Sequence, residues 1–213
     1  NAELPWNTWG SLGINIALGS KLDKYRAYEE YMYLPDYVHL IFEDAQKVKD
    51  NVSKQLIKKE NLLLDFKEKQ VKIKWYNPFV IFSFLMLLAV YYTYKDYKRS
   101  KRSKGLDFLL FFITGIIGLV IVFLWFFTDH RTTPNNFNFL WAFAPNLVLA
   151  FLMLKKKQPK WVGYYLKLNL ILLVLIPIVW IAKIQLFSLA LLPVFILLLI
   201  RYLYLNRLLS LKE

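Results

Sequence analysis

The stretch Thr128–Trp141 reads TDHRTTPNNFNFLW and separates two long apolar runs of the chain. It holds aspartate, histidine and arginine in succession at 129–131, followed by further threonines and asparagines. The runs on either side, 106–127 and 139–154, carry few polar side chains. Because an irregular segment cannot leave its backbone polar groups unpaired in hydrocarbon, this loop is predicted to turn at the face of a membrane.

The composition extends this interpretation to the whole chain. Of the 213 residues, 57% are apolar and 18% aromatic, whereas an ordinary soluble domain is about 45–50% apolar. The excess follows residue 75, so the sequence predicts an integral membrane protein with a smaller polar N-terminal part. The net charge of +13 belongs almost entirely to the membrane half. Its basic clusters stand at the ends of apolar runs, where they set orientation and meet anionic lipid headgroups, which argues against a nucleic-acid partner.

Five apolar runs approach the roughly 20 residues that a helix needs to cross a bilayer. The predicted fold is therefore a mainly α, polytopic membrane protein with five transmembrane helices and a small α+β extracytoplasmic N-terminal segment. The transmembrane domain is placed at 75–213 and the N-terminal domain at 1–74. The predicted crossings are about 78–94, 106–127, 139–154, 162–182 and 186–205.

The N-terminal segment shows weaker patterns. Apolar residues near helical spacing predict a short amphipathic helix from Asp36 to about Val48. The stretch Gln55–Asp65 (QLIKKENLLLD) predicts two short strands around a KEN turn. We expect so small a core to pack on another domain or on the membrane half. No signal peptide is recognisable before the first apolar pieces, and we expect the sequence to start downstream of something else.

The loops predict the orientation, because Lys and Arg accumulate on the cytoplasmic side of short connections. The loops at 95–104 and 155–160 and the tail from Arg201 are basic, whereas the two intervening loops carry one cation each, Arg131 and Lys183. This alternation predicts a bacterial inner (cytoplasmic) membrane protein with its N-terminal segment periplasmic and its C-terminus cytoplasmic. The Thr128–Trp141 loop then faces the periplasm.

Small and polar residues inside the runs have structural interpretations. Gly115 and Gly118 predict close helix contact. Asn146 and Asn169 predict interhelical hydrogen bonds. Three prolines are expected within the third, fourth and fifth helices, where kinks are tolerated if neighbours pair the freed carbonyls. These prolines are Pro145, Pro177 and Pro193.

Charged residues inside the runs argue against some functions. Asp107 and Lys167 lie near cytoplasmic helix ends and are predicted to reach water. No charged relay crosses the membrane, which disfavours a proton-driven pump or an ion channel. A transporter is therefore the least favoured of three possible functions, and the other two are described below.

Two histidines are the candidates for chemistry. His39 lacks neighbours at metal-ligand spacing, so no metal and no cofactor are predicted. His130 is flanked by Thr128 and Asp129, and an imidazole there could act as a general base or donate to a phosphate or ester oxygen. In the alternative interpretation, Asp129 caps the loop and the asparagines pair local backbone groups.

Two N-terminal stretches and the central loop carry a family resemblance. LPWNTWGSLGINIALGSKLDK (4–24), EYMYLPDYV (30–38) and the TDH…T…N.N.LW pattern resemble Lnb-type bacterial lipoprotein N-acyltransferases. The resemblance implies that 1–74 is the C-terminal part of a periplasmic papain- or NlpC-like domain. It also implies transfer of an acyl chain from a membrane lipid to the N-terminal cysteine amine of a bacterial lipoprotein.

The family pattern places a cysteine and histidine site upstream of the part matched here, and this chain has no cysteine. The thiol nucleophile is therefore expected from an upstream thiol domain or a partner chain. Asn15 stands where many relatives have an acidic residue, which leaves a charge-dependent role there in doubt. The resemblance gives supporting or lipid-binding roles to Asp129, His130 and Asn138 at the ester or phosphate. Thr128 joins this candidate set, and three tryptophans, Trp125, Trp141 and Trp180, would flank an acyl slot.

A second hypothesis remains open. The chain would be a non-catalytic membrane anchor or a subunit of an envelope complex, and the loop would only connect two helices. Whether this chain is part of an enzyme is undecided at this point, because it lacks a cysteine nucleophile of its own.

Overall fold

A computed structural model describes residues 7–23, 35–49, 52–59, 61 and 74–210. The chain divides into two compact units, of which one joins 1–23 with 72–213 and the other contains 24–71. The first 23 residues are thus grouped with the helical part of the chain. The assignment of 1–74 to one papain- or NlpC-like domain stays a prediction.

The unit at 24–71 has a helix and a hairpin in its described part. Helix α2, Pro35–Asp44, is followed by the antiparallel strands β1, Gln46–Lys49, and β2, Val52–Gln55. The predicted helix therefore ends earlier than expected, because the chain enters β1 two residues after Asp44. The first of the two strands predicted within 55–65 was misplaced, since β2 ends at Gln55 and no strand lies in 56–59. The second strand stays a prediction, because residues 60 and 62–65 lie outside the described part.

Helix α1, Trp9–Ala17, opens the larger unit. Its first turn is closed by a capping box, in which Thr8 and Ser11 exchange side-chain and backbone hydrogen bonds. A 3-10 turn at Ser20–Asp23 follows. Towards α3, Asn7 donates to Asn77 Oδ1 (2.8 Å), and the indole of Trp9 donates to the carbonyl oxygen of Tyr76 (2.9 Å). These two bonds attach the N-terminal end of α1 to the residues directly before α3.

In the described part of the chain, four helices are long and apolar enough to cross a membrane. The last of them includes the 3-10 turn Leu189–Leu191, which runs directly into α7. The helices are α3 (Pro78–Arg99), α4 (Lys104–Phe126), α6 (Trp161–Ile181) and α7 (Leu192–Ser210). We call the end that contains the connections 127–145 and 182–191 the loop end, and the end that contains 100–103 and 155–160 the basic end.

The third predicted crossing, 139–154, is not one continuous helix. It consists of a 3-10 turn at Phe137–Leu140, an irregular link, and the nine-residue helix α5, Asn146–Leu154. The interruption has two causes. Asn136 caps the 3-10 turn by accepting from the backbone of Asn138, and Pro145 stands at the N-cap of α5, where it cannot continue a helix from the preceding residues.

The other two prolines take different positions. Pro177 lies inside α6, as predicted. Pro193 lies within the last membrane segment, as predicted, and is the second residue of α7. A proline in the first turn is tolerated because its missing N–H would be unpaired there in any case.

Two glycines set how closely α4 and the third segment pack. A Cβ atom on Gly118 would lie 2.1 Å from the carbonyl oxygen of Ala142, and one on Gly115 would lie 2.3 Å from the backbone nitrogen of Leu147. No side chain fits at such distances, so the two backbones are in direct contact. The prediction of close helix contact at these glycines is confirmed.

The predicted interhelical hydrogen bonds hold for one asparagine. Asn146 at the start of α5 donates to Thr114 of α4 (3.1 Å) and accepts from the hydroxyl of Tyr165 in α6 (2.7 Å). Asn169 instead donates to the carbonyl oxygen of Tyr165, one turn earlier in its own helix (3.2 Å). Asn146 therefore links three segments, whereas the bond of Asn169 stays within α6.

A buried ion cluster joins α3, α4 and α7 on the basic-end side of the helices. Arg201 lies 2.7 Å from Asp107 and 2.9 Å from Asp96, and Arg102 lies 3.1 Å from Asp107. The side chains of Arg201 and Asp107 are 1% and 0% exposed. The expectation that Asp107 reaches water was therefore wrong, because the neighbouring Arg102 and the distant Arg201 enclose it. Lys167 is exposed, as predicted.

Candidate functional site

The loop at 127–136 leaves α4 with its charged residues on the surface. Asp129 and His130 are exposed, and no hydrogen bond or ion pair joins their side chains to another residue of the described ranges. Thr128 is half-buried, and its hydroxyl donates to the carbonyl oxygen of Leu124 (2.7 Å). Among the described residues the carboxylate and the imidazole are therefore unpaired, whereas the hydroxyl of Thr128 closes the end of α4.

Thr133 folds the loop back onto α4. Its hydroxyl donates to the carbonyl oxygen of Leu124 (2.7 Å) and lies 3.2 Å from that of His130. The residue is 4% exposed. These contacts hold the exposed turn that carries His130 against the C-terminal end of α4.

Asn138 and Trp141 lie inside the protein, at 0% and 3% exposure. The indole of Trp141 donates to Asn138 Oδ1 (2.9 Å). The amide nitrogen of Asn138 donates to the carbonyl oxygen of Asn15 in α1 (2.9 Å) and to Asn136 Oδ1 (3.0 Å). Every polar atom of the Asn138 amide is therefore paired within the protein, which leaves none for a ligand.

Asn136 and Gln185 complete a buried amide network with Asn138. The amide of Asn136 donates to the carbonyl oxygen of Ile16 (2.7 Å), and Gln185 Oε1 accepts from the backbone nitrogen of Phe137 (2.7 Å). Both side chains are 1% exposed. We call Asn136, Asn138 and Gln185 the amide network. Because α1, the loop and the α6–α7 connection all bond to it, it holds three distant segments together.

Asn15 is a further link between α1 and the α6–α7 connection. Its amide nitrogen donates to the carbonyl oxygen of Leu186 (3.2 Å), and its Oδ1 accepts from the backbone nitrogen of Ser188 (3.0 Å). A carboxylate could make only the second of these bonds. The amide at this position therefore has a structural explanation in the bonds it makes.

Gly19 brings the chain after α1 against the loop. Its backbone nitrogen donates to the carbonyl oxygen of Thr132 (2.9 Å), and a Cβ atom here would lie 2.1 Å from the carbonyl oxygen of Pro134. Ser20 donates from its backbone to the carbonyl oxygen of Asn135 (3.0 Å). The later part of the loop, 132–136, is thus paired with the N-terminal segment.

Two of the three tryptophans expected at an acyl slot belong to the packed interior. Trp141 contacts Phe195, Phe195 contacts Phe187, and Phe187 contacts Trp180, with ring centroids 5.8–6.1 Å apart. These four rings bridge the third segment, α6 and α7. Trp125 instead stacks on Phe126, whose side chain is 67% exposed near the C-terminal end of α4. Apolar surface beside the exposed turn is therefore carried by α4.

The five candidate residues thus fall into two groups. Asp129 and His130 face outward, with Thr128 at their base, and Asn138 and Trp141 lie in the interior. The structure does not bring them together as one cluster. Sequence reasoning gave Asn136 only a local backbone role and missed the roles of Gln185 and Gly19, although a lone glutamine between apolar segments was a usable signal for a buried hydrogen bond.

The exposed turn offers acid–base and hydrogen-bonding chemistry rather than metal binding. In the described part of the chain, no group of three or more His, Asp or Glu side chains is placed to hold a metal ion. An exposed imidazole beside a carboxylate can accept or donate one proton, or donate a hydrogen bond to an oxyanion. Either use requires a ligand that reaches the exposed turn.

Substituting Asn138 by Asp tests the structural role of the amide network. The carboxylate keeps the shape but loses both donors and places a charge beside the carbonyl oxygen of Asn15. We expect the free energy of unfolding to fall by about 1–3 kcal/mol, measured as a lower midpoint of thermal unfolding in detergent. Asn135→Asp, an exposed position in the same loop, is the matched control. Equal midpoints for the two variants would contradict the structural role.

The fold and the loop end define a mainly helical membrane protein whose N-terminal helix packs on the connections between its membrane segments. Comparison with known families gives the more specific identification. The profile of the family described as the Lnb transmembrane domain matches residues 69–213, and the chain belongs to this family. No curated protein and no solved structure matches the chain significantly.

The family match bears directly on the number of membrane segments. The family name specifies five transmembrane helices, and the described chain supplies four long helices together with the interrupted third segment. The prediction of a mainly α, five-segment membrane protein of the Lnb type is confirmed. The match does not cover the first 68 residues.

Proposed function

We propose that this chain is the membrane part of a lipoprotein N-acyltransferase. It would transfer an acyl chain from a lipid donor to the amino group of a lipoprotein's N-terminal cysteine. The observation that carries the proposal is the match of the Lnb transmembrane domain to residues 69–213, about two thirds of the sequence. The membrane helices would hold the acyl chains, and the loop end would receive the headgroup.

The chemistry requires a thiolate that this chain does not supply, since the sequence has no cysteine. An upstream thiol domain or a partner chain would provide it. The thiolate attacks the ester carbonyl of the donor, a thioester forms, and the alkoxide of the lysolipid leaves with a proton. The amine of the lipoprotein then attacks the thioester, the amide bond forms, and the thiol is released. Both donor and acceptor must therefore reach one face of the membrane.

We place that face at the loop end. The connections at the basic end carry most of the loop Lys and Arg and would lie in the cytoplasm, by the positive-inside rule. The loop end, α1 and the exposed turn would then face the periplasm of a bacterial inner membrane. Donor headgroups and lipoprotein N-termini would both be reached from there.

Within this site, the exposed residues would contact the ligand and the buried residues would hold the loop in position. His130 and Asp129, which are free of internal hydrogen bonds among the described residues, would meet the ester or phosphate of the donor. Asn138 and Trp141 would not contact the donor but would keep the loop in place, because their polar atoms are paired internally. Thr128 would fix the point at which the loop leaves α4.

The test is to replace His130 by Ala in the intact protein with its native upstream sequence and to follow lipoprotein N-acylation by mass spectrometry. Losing one hydrogen bond to a charged group is worth about tenfold, so we expect acylation to slow at least about tenfold at a normal protein level. Lys183→Gln, an exposed cation on the other connection at the loop end, is the control. Unchanged acylation in His130→Ala would remove this histidine from the mechanism.

The second candidate function is a non-catalytic anchor or a subunit of an envelope complex. The complete internal pairing of Asn138 and the absence of cysteine favour it, because both are compatible with a loop that only connects helices. The genomic sequence immediately before Asn1 separates the two functions. A continuous reading frame that encodes a Cys and His domain supports the transferase. A stop codon, together with co-purification of another envelope protein, supports the subunit.

A further inference from the structure

A groove runs along the contact between α3 and α7 in the half of these helices nearer the basic end. Its volume is about 370 Å³. Side chains three or four residues apart line it on both helices, so the groove follows the helix axes. The lining residues are Val90, Thr93, Tyr94 and Tyr97 of α3, and Ile200, Leu203, Tyr204 and Arg207 of α7.

The groove has room for part of a lipid chain. From Val90 to Tyr97 it is about 10 Å long, at 1.5 Å per residue. A volume of about 370 Å³ over this length holds part of one hydrocarbon chain.

The two ends of the groove differ in charge. At the end nearer the middle of the bundle the lining is apolar, with Val90 and Ile200. At the other end the guanidinium of Arg207 lies 5.2 Å from the ring centroid of Tyr97, a cation–π contact that uses none of its N–H donors, and no described residue accepts a hydrogen bond from it. No carboxylate lines the groove or pairs with Arg207 within the described ranges. A cation at one end and apolar walls along the rest match an amphiphile with an anionic head.

The nearby acidic residues do not change this charge. Asp96, on α3 beside Tyr97, is held by Arg201 at 2.9 Å and by the backbone nitrogen and hydroxyl of Ser103 at 2.7 and 2.8 Å. The other carboxylate nearby, Asp107, is fully buried and paired with two arginines. Arg207 is exposed, and no carboxylate of the described residues compensates its positive charge.

We propose that this groove binds one anionic phospholipid. An acyl chain lies between α3 and α7, and the phosphodiester of the headgroup accepts hydrogen bonds from Arg207. The site is at the opposite end of the helices from the exposed turn with His130, so it is separate from the acyl donor site. Its occupant would brace α3 against α7, the two helices that carry Asp96 and Arg201.

The binding test uses the intact protein in detergent, with dioleoylphosphatidylglycerol or dioleoylphosphatidylcholine added as the probe. We expect phosphatidylglycerol to raise the midpoint of thermal unfolding more than phosphatidylcholine, and native mass spectrometry to show one retained phosphatidylglycerol. Arg207→Gln should weaken this binding about tenfold, the usual effect of losing a hydrogen bond to a charged group. Arg207→Lys, which keeps the charge, should retain most of it.

Two further variants separate the parts of the proposal. Leu203→Trp fills the groove at an exposed position and should reduce binding of both lipids. Lys157→Gln removes a cation at the basic end outside the groove and should leave the preference unchanged. Glycerol 3-phosphate, which has the phosphate without an acyl chain, should not stabilise the protein. Stabilisation by glycerol 3-phosphate equal to that by phosphatidylglycerol would overturn the lipid site. An unchanged lipid preference in Arg207→Gln, or an equal loss in Lys157→Gln, would also overturn it.

Discussion

Replacing Arg201 by Met is expected to lower the free energy of unfolding by about 3–5 kcal/mol, the usual cost of leaving a buried charge without its partner. Arg201 is 1% exposed and neutralises both Asp96 and Asp107. Methionine fills the space of the arginine stem but leaves the cluster with one excess negative charge. The measurement is the midpoint of thermal unfolding of the purified protein in one fixed detergent.

Two comparisons make this result specific to the buried charge. Lys98→Met removes an exposed cation that lies over the ring of Tyr94, and it should change the free energy of unfolding by less than about 0.5 kcal/mol. The double variant Arg201→Met, Asp107→Asn removes charge of both signs and should recover part of the loss. If Arg201→Met behaves like Lys98→Met, the ion cluster does not stabilise the protein as we describe it.

Replacing Gly118 by Ala should have the second largest effect. The added methyl group would lie 2.1 Å from the carbonyl oxygen of Ala142, so α4 and the third segment would have to move apart. Overpacking of this kind costs about 1–3 kcal/mol and sometimes more. We expect a lower midpoint of thermal unfolding and less protein in the membrane fraction. Because Ala142 directly follows Trp141, the loop end should also become more accessible to proteases.

Gly105→Ala is the matched control for this prediction. Gly105 lies in the first turn of the same helix, and nothing stands within 4 Å of a Cβ atom added there. Alanine favours helix by up to about 1 kcal/mol over glycine, so this variant should be neutral or slightly more stable. If Gly118→Ala is as stable as Gly105→Ala, the close contact between α4 and the third segment is not required.

The membrane helices were predictable because each depends on its own residues. A run of about 20 apolar residues must pair its backbone internally in a bilayer, whatever surrounds it. The predicted crossing at 162–182 and the observed Trp161–Ile181 therefore agree within one residue. The third segment was harder, since its interruption depends on side chains that cap a 3-10 turn. Apolar composition alone does not separate that arrangement from a continuous helix.

The ion cluster was missed for a related reason. Arg201 is in a basic C-terminal region, and by composition it counted as one more cytoplasmic tail charge. Its partner Asp107 is 94 positions earlier in the sequence, so no local pattern connects them. A charge near a helix end is read as reaching water unless the opposite charge on another helix is known. The structure shows that α4 packs against α7 so that Arg201 and Asp107 meet.

The location of the candidate site was predictable from the sequence. Which of its polar residues are buried and which are exposed was not. The polar composition of 128–141 marks a loop at the membrane face. Which polar residues are buried depends on α1 and Gln185, which contact the loop across 120 and 49 positions of sequence. Asn138 and His130 are both polar residues of one loop in the sequence, and only the packing of α1 separates a buried amide from an exposed imidazole.

The short α5 also bears on how the protein enters the membrane. Nine residues span about 14 Å, roughly half of the hydrocarbon thickness. Such a segment is too short to partition into a bilayer as an autonomous transmembrane helix. It depends on the glycine surface of α4, which must be in place first. We therefore expect α4 and the third segment to be released from the translocon as one hairpin during biosynthesis.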